Sequence, residues 1–184
     1  MQRDSHAFVI NVGIAIALSV SLLARRGESL AAFDAQTIFL RGMTALHSFE
    51  YEEANEAFGQ ARRLDPGLVM AYWGEAMTYN QTLWRNENVQ AAREALARLG
   101  PTPAARSAKT ADPKEQGYLA AAEALFADGD AATRQRRHAD AMGRLYTRYP
   151  DDPDIASLYA LALLGTMSRS LIGYVDSQHL EGDH

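Results

Sequence analysis

Apolar and small side chains recur at intervals of three and four residues along positions 36–165, which is the spacing of one helix face. Ala54, Phe58 and Ala61 follow this spacing and predict a helix from about Glu52 to Leu64. The segment before it repeats the pattern, with a glycine that would let two helix backbones approach closely. A short turn at 48–51 joins the two segments, so we predict an antiparallel helical hairpin.

The same organisation continues along the chain and predicts an all-α array. We place its units at 33–66, 67–99 and 112–150, with a partial unit at 152–165. The second unit carries an insertion, "NQTLWRNEN", between its helices. Glycine, prolines and small polar residues predict a linker at 100–111, and residues 166–184 are predicted to be a weakly structured tail. Asp112 and Asp152, each followed by proline, are predicted N-caps of new helices.

The spacing in the first two units resembles the tetratricopeptide repeat (TPR), a family whose motif recurs every ~34 residues. The residues that carry the resemblance are Gly42, Tyr51, Ala54, Phe58, Ala61, Pro66, Tyr72, Ala76 and Tyr79. The resemblance implies antiparallel helical hairpins stacked as a right-handed solenoid of about three and a half repeats. It is closest in character to exported bacterial TPR proteins. The last helix has no partner and no evident polar cap, so a truncated member of the family and association of copies through this end are both open.

Residues 1–32 have the layout of an export segment. The stretch 7–24 is apolar, follows Arg3, and precedes small residues at which a signal peptidase could cut. It is longer than a typical signal core and close to the shortest helix that spans a bilayer, so an N-terminal membrane anchor is the alternative. We therefore expect a periplasmic or secreted protein, or one anchored to the inner membrane through residues 7–24.

Charge and composition narrow the classes of partner and chemistry. The net charge of -5 comes from scattered residues, and the best basic cluster, 134–138, is predicted to be a solvated helix face, so we expect no nucleic-acid partner. No cysteine is present, which excludes thiolate catalysis and sulfur-ligated metal. The histidines have no metal-site spacing, and neither a phosphate loop nor a nucleophile elbow occurs. We expect a non-enzyme without metal or cofactor.

In a TPR array the first helices line a concave groove, and the resemblance places six side chains in it: Phe39, Met43, His47, Trp73, Met77 and Asn80. Their mainly apolar character suits an apolar peptide. The leading hypothesis is a scaffold that binds a protein or peptide in this groove. The alternative is a periplasmic protein that binds a small ligand or metal through His47 and the groove aromatics. For these residues, packing against neighbouring hairpins or against a missing segment is an equally open interpretation.

Overall fold

The computed structural model describes residues 30–167, and this part of the chain is mostly helical. Its eight α-helices are α1 (30–47), α2 (Tyr51–Leu64), α3 (Val69–Met77), α4 (Val89–Ala97), α5 (Pro103–Ser107), α6 (Pro113–Leu125), α7 (Ala131–Arg148) and α8 (Pro153–Gly165). Two antiparallel two-residue strands, β1 (Asn80–Gln81) and β2 (Asn86–Glu87), flank a 3-10 turn at Thr82–Trp84. The expectation of a predominantly helical chain is confirmed.

The helices pack as consecutive pairs: α1 with α2, α3 with α4, and α6 with α7. Successive pairs meet through α2 with α3 and through α3 with α6, and α8 packs on α7. One continuous apolar core runs through them. Its alanines are fully buried at Ala54, Ala61 and Ala76, where a small side chain lets neighbouring helices approach closely.

Acidic residues begin several helices where the sequence predicts them. The carboxylate of Asp112 accepts a hydrogen bond from the backbone N–H of Lys114 at 2.8 Å, and Pro113 occupies the first turn. Asp152 accepts from the N–H groups of Asp154 and Ile155, both at 3.1 Å. Such caps satisfy donors that the first helical turn leaves unpaired. The predicted N-caps are confirmed.

The segment predicted as a linker, 100–111, contains a helix, α5. Thr102 caps it by accepting from the N–H of Ala105 at 3.1 Å, and Pro103 starts it. The buried guanidinium of Arg106 donates to both carboxylate oxygens of Glu123 in α6, and to the carbonyl of Gly100 at 2.7 Å. This bidentate pair attaches α5 to α6. The glycine and prolines at the start of the segment favoured a linker, and the carboxylate that holds Arg106 belongs to a later helix, so no local pattern indicated α5.

The insertion in the second unit is anchored to α7 by Arg134. Its guanidinium donates to Glu87 of β2 at 2.6 Å and to the carbonyl of Leu125 at 3.2 Å. Between the strands, Arg85 adopts a left-handed backbone conformation with φ of 51°, which allows the tight reversal. The inserted residues therefore have a fixed position beside the third helical pair.

Helix α8 extends from α7 back to the first pair and to the insertion. Near its start, Asp154 Oδ1 lies 3.2 Å from Nε2 of His47 at the end of α1. At its other end, the guanidinium of Arg85 donates to the carbonyl of Met167 at 3.2 Å. Buried Ile155, Leu158 and Ala162 form its inner side. The predicted partial unit is thus the single helix α8, which packs on α7 and contacts the end of α1 and the insertion.

Two predictions concern residues outside this range. The apolar stretch 7–24, predicted as a signal or anchor, lies outside the described residues, as does 168–184 of the predicted tail. Among helices within 30–167, none combines the length and apolarity needed to cross a bilayer.

Candidate binding site

A partly open cavity of about 320 Å³ lies beneath α8, and we call it the α8 cavity. It is enclosed by the turn after α1, the end of α3, the 3-10 turn, α7 and α8. Its wall is formed by Leu46, His47, Phe49, Tyr51, Trp73, Met77, Asn80, Thr82, Leu83, His138, Met142, Ser157, Leu158, Ala160, Leu161, Ala162 and Leu164. None of these side chains is a carboxylate, a lysine or an arginine. The cavity is therefore mainly apolar.

Four of the six predicted groove residues, His47, Trp73, Met77 and Asn80, line this cavity. Trp73 is only 2% exposed, and its ring lies 5.0 Å from that of Tyr118 between centroids. Met77 and Asn80 are also buried. The prediction brought together residues that are neighbours in space, but it placed them on an open groove. The third helical pair and α8 cover Trp73, Met77 and Asn80 instead, whereas His47 is exposed at the edge of the cavity.

The other two predicted groove residues lie elsewhere. Phe39 is buried against Phe58, with 5.6 Å between the ring centroids. Met43 is half-buried and packs on the apolar core. Neither forms part of the wall of the α8 cavity. Their described environment is that of packing residues, and no ligand role follows from it.

His138 is the buried polar side chain that sequence reasoning missed. It is 4% exposed and lines the cavity, and its Nδ1 lies 3.0 Å from the carbonyl oxygen of Ala121 in α6. Burial lowers the pKa of this imidazole, although the hydrogen bond to Ala121 opposes the shift. The ring is therefore neutral at pH 7.

The prediction that 134–138 forms a solvated face is wrong at both of its ends, because Arg134 and His138 are buried. These two residues are four apart, and Met142 and Leu145 continue the same helical spacing. That periodicity was the available signal. The basic composition of 134–138 favoured a solvent-exposed face, although the spacing of these residues indicated burial. Their hydrogen-bond partners, Glu87 and the carbonyl of Ala121, are distant in sequence.

An aromatic cluster stands beside the cavity next to the first turn, and we call it the rim: Phe49 and Tyr51 belong to the cavity wall, and Trp84 packs against both. The ring of Trp84 lies 5.9 Å from Phe49 and 5.8 Å from Tyr51, both edge to face. Trp84 is 61% exposed, whereas the hydroxyl of Tyr51 is enclosed without a hydrogen-bond partner within 30–167. Burial raises the pKa of that hydroxyl. The rim thus offers exposed aromatic surface, with one unpaired polar atom behind it.

The chain matches no family model, no curated protein and no solved structure.

The polar side chains at this site were compared with the arrangements that catalysis or metal binding requires. His47, Asp154 and Ser157 lie close along α1 and α8, but the Ser157 hydroxyl donates to the backbone carbonyl of Asp154 at 3.0 Å. It is therefore not activated by the imidazole as a nucleophile would be. Within the described range, His, Asp and Glu side chains form no group of three or more that could hold a metal ion. The arrangement suits the binding of an apolar molecule.

Proposed function

We propose that the chain is a non-catalytic binding module of the TPR type that takes a small, mainly apolar ligand in the α8 cavity. The observation that carries the proposal is the cavity itself, about 320 Å³ of partly open space walled by apolar and aromatic side chains. Ligand pockets have volumes of roughly 300–1,000 Å³ and walls of this kind, with few polar groups. Native cores contain few voids larger than a water molecule. Binding is thus a better explanation of the space than imperfect packing.

The TPR assignment is supported by how the resemblance residues pack. Phe58 fills the space beside two glycines, one in α1 and one in α3, and Ala54, Ala61 and Ala76 are fully buried. The hydroxyl of Tyr72 donates to the carbonyl of Pro66 at 3.1 Å. These contacts join α2 to α1 and to α3, and α3 to the turn before it, as the repeat motif would. In this proposal α1, α3 and α6 line the concave side of a short solenoid, and α8 lies over it.

The test uses 2-methylnaphthalene, a compound smaller than the cavity, and isothermal titration calorimetry. We expect one site in the full chain. The variant Ala160→Phe places a large ring at an exposed wall position of α8 and should weaken binding about tenfold or more. Ala97→Phe, at an exposed position of α4 outside the cavity, is the matched control and should bind normally. An absence of binding of both this compound and its hydroxylated analogue, 2-naphthol, to the unmodified chain would remove the proposal.

A second candidate function is the protein or peptide scaffold expected from the sequence. Its support is the exposed apolar surface at the rim, where Phe49, Leu83 and Trp84 lie together. Exposed tryptophans frequently dominate protein interfaces. We expect a photoreactive residue at position 84 to crosslink to one protein. The control is a photoreactive residue at position 40, where exposed Leu40 lies on α1, and it should give no such crosslink. Crosslinks of equal yield from both positions would argue against a specific interface.

For either function we propose that the chain is exported from the cytoplasm and binds its ligand in the periplasm or outside the cell. Residues 7–24 support it through their uninterrupted apolar character. Mass spectrometry of the protein from separated cell fractions distinguishes the two forms. A mature N-terminus near Ala31 or Ala32 in the periplasm indicates cleavage, and an intact N-terminus in the membrane fraction indicates an anchor.

A further inference from the structure

The polar group with which the α8 cavity would recognise its ligand is the second ring nitrogen of His138. Nδ1 lies 3.0 Å from the Ala121 carbonyl, which can only accept a hydrogen bond, so Nδ1 carries the proton. In a neutral imidazole the other nitrogen, Nε2, is then an acceptor. The fold thus sets the tautomer of His138 and the kind of group that can pair with it.

Nε2 of His138 has no hydrogen-bond partner among residues 30–167. It is also absent from the polar atoms that the protein fully encloses without a partner, which within this range are the Tyr51 hydroxyl and Gln135 Oε1. His138 lines the α8 cavity and is otherwise buried, so an Nε2 that faces the cavity is the arrangement that fits these contacts. An acceptor in an apolar wall is costly to leave unpaired, and a bound molecule could pair with it.

The charges around the cavity favour a neutral molecule. The wall contains no lysine or arginine to pair with an anion and no carboxylate to pair with a cation. At its edge the carboxylate of Asp154 already has a protein partner, since its Oδ1 lies 3.2 Å from Nε2 of His47. Moving an unpaired charge from water into such a site would be strongly unfavourable, as it is for other buried ions. Fatty acids, organic phosphates and amines are therefore poor candidates.

We infer that the ligand of the α8 cavity is a neutral, mainly aromatic or alicyclic molecule with one hydroxyl group, and that this hydroxyl donates to Nε2 of His138. The inference rests on the proposed function and makes His138 a specificity-determining residue of that site. The apolar body of the ligand would lie against Trp73, Met77 and Leu158.

Two compounds of matched size test the inference: 2-naphthol, which carries a hydroxyl, and 2-methylnaphthalene, which carries a methyl group in its place. We expect the full chain to bind 2-naphthol more tightly in calorimetry. In His138→Asn, the shorter amide can keep the hydrogen bond to Ala121 but has no group at the position of Nε2. Its affinity for 2-naphthol should fall about tenfold, as expected for one lost hydrogen bond, with little change for 2-methylnaphthalene.

His138→Gln is the matched control, since its longer amide can place an oxygen near the position of Nε2 and should retain part of the preference. Equal losses for both compounds in His138→Asn, or no loss for 2-naphthol, would overturn the inference and leave the proposed function intact. Binding of neither compound to the unmodified chain would overturn both.

A measurement on the unmodified chain keeps the test independent of how the variants fold. In a long-range ¹H–¹⁵N spectrum, a nitrogen that accepts a hydrogen bond changes its chemical shift. Saturating 2-naphthol should shift the Nε2 resonance of His138, and 2-methylnaphthalene should leave it in place. The same response to both compounds, or a response to neither at saturation, would contradict the proposed hydrogen bond.

Discussion

The ring of Phe58 lies so close to Gly74 that a Cβ atom at position 74 would stand 2.6 Å from the ring. Phe58 belongs to α2 and Gly74 to α3, so this contact joins the first two helical pairs. Real Cβ atoms do not approach other carbons this closely, and the ring is fully buried, with no free space to move into. The approach of α2 to α3 therefore depends on the missing side chain at 74.

Gly74→Ala is expected to destabilise the chain by about 1–3 kcal/mol, the usual cost of overpacking a well-filled core. The measurement is the free energy of unfolding in urea. Gly59→Ala is the control, because a Cβ there meets only the end of the flexible Arg63 side chain at 3.3 Å. In a helix that change should be neutral or slightly stabilising. Equal effects of the two variants would show that Phe58 does not limit the approach of α3.

Glu75 should be needed for stability because it is a buried carboxylate held by two arginines. It accepts from Nε of Arg62 at 3.0 Å and from Nη2 of Arg98 at 2.5 Å, which joins α2, α3 and the end of α4. Glu75→Gln removes the charge and leaves both guanidinium groups partly unpaired. We expect a loss of roughly 1–3 kcal/mol in urea unfolding. Glu56→Gln, at an exposed position of α2, should change stability by less than about 0.5 kcal/mol.

Asp152 should contribute to the attachment of α8 in two ways. It caps the helix and forms an ion pair with Lys114 of α6. Desolvation acts to raise the pKa of Asp152, but the hydrogen bonds from Lys114 and from the N–H of Ile155 outweigh it and lower the pKa. Asp152→Ala is expected to cost about 1–2 kcal/mol through the lost cap. The adjacent exposed Asp151 caps nothing in the described range, and Asp151→Ala should be nearly silent.

The lowered pKa of Asp152 also determines how its contribution to stability changes with pH. The stabilisation is complete above the carboxyl pKa of the unfolded chain, about 3.9, and is lost as the pH falls through the lower folded value. The stability difference between the wild-type chain and Asp152→Ala should therefore be constant above about pH 5 and shrink in stronger acid. A difference that grows on acidification would contradict this account.

Buried His138 should make the chain less stable in mild acid. The unfolded imidazole takes up a proton near pH 6.5, about the ordinary value, whereas burial lowers the pKa in the folded chain. Between these two pKa values the unfolded state binds more protons than the folded state. The free energy of unfolding therefore decreases as the pH is lowered, by at most about 1.4 kcal/mol per pH unit. Urea unfolding at pH 7, 6 and 5 measures the slope. His138→Asn should have a shallower slope, and parallel profiles would contradict the prediction.

The two tryptophans should differ strongly in their access to solvent. Trp73 is 2% exposed and Trp84 is 61% exposed, and the chain has no other tryptophan. In Trp84→Phe the remaining emission should resist quenching by iodide. In Trp73→Phe it should be quenched several-fold more efficiently, since only exposed rings collide with the ion. Similar quenching in the two variants would show that α8 does not cover the cavity in solution. Trp73→Ala is unsuitable here, because truncating a buried tryptophan costs about 3–5 kcal/mol.

Local pattern was sufficient for the helices other than α5. Regular spacing of apolar and small residues, with Asp112 and Asp152 before prolines, predicted where helices form, because side chains three and four apart share a face and a cap acts within one turn. These are properties that a few neighbouring residues determine by themselves.

The position of α8 and the burial of His138 were decided only by the tertiary structure. Asp154 meets His47 across more than one hundred residues, and His138 pairs with a carbonyl of another helix. Helix α5 likewise depends on Glu123, seventeen residues from Arg106. The enclosure of a groove and the neutral state of a buried imidazole depend on which surfaces meet. Sequence spacing determines the face of a helix, whereas packing between distant segments determines what covers that face.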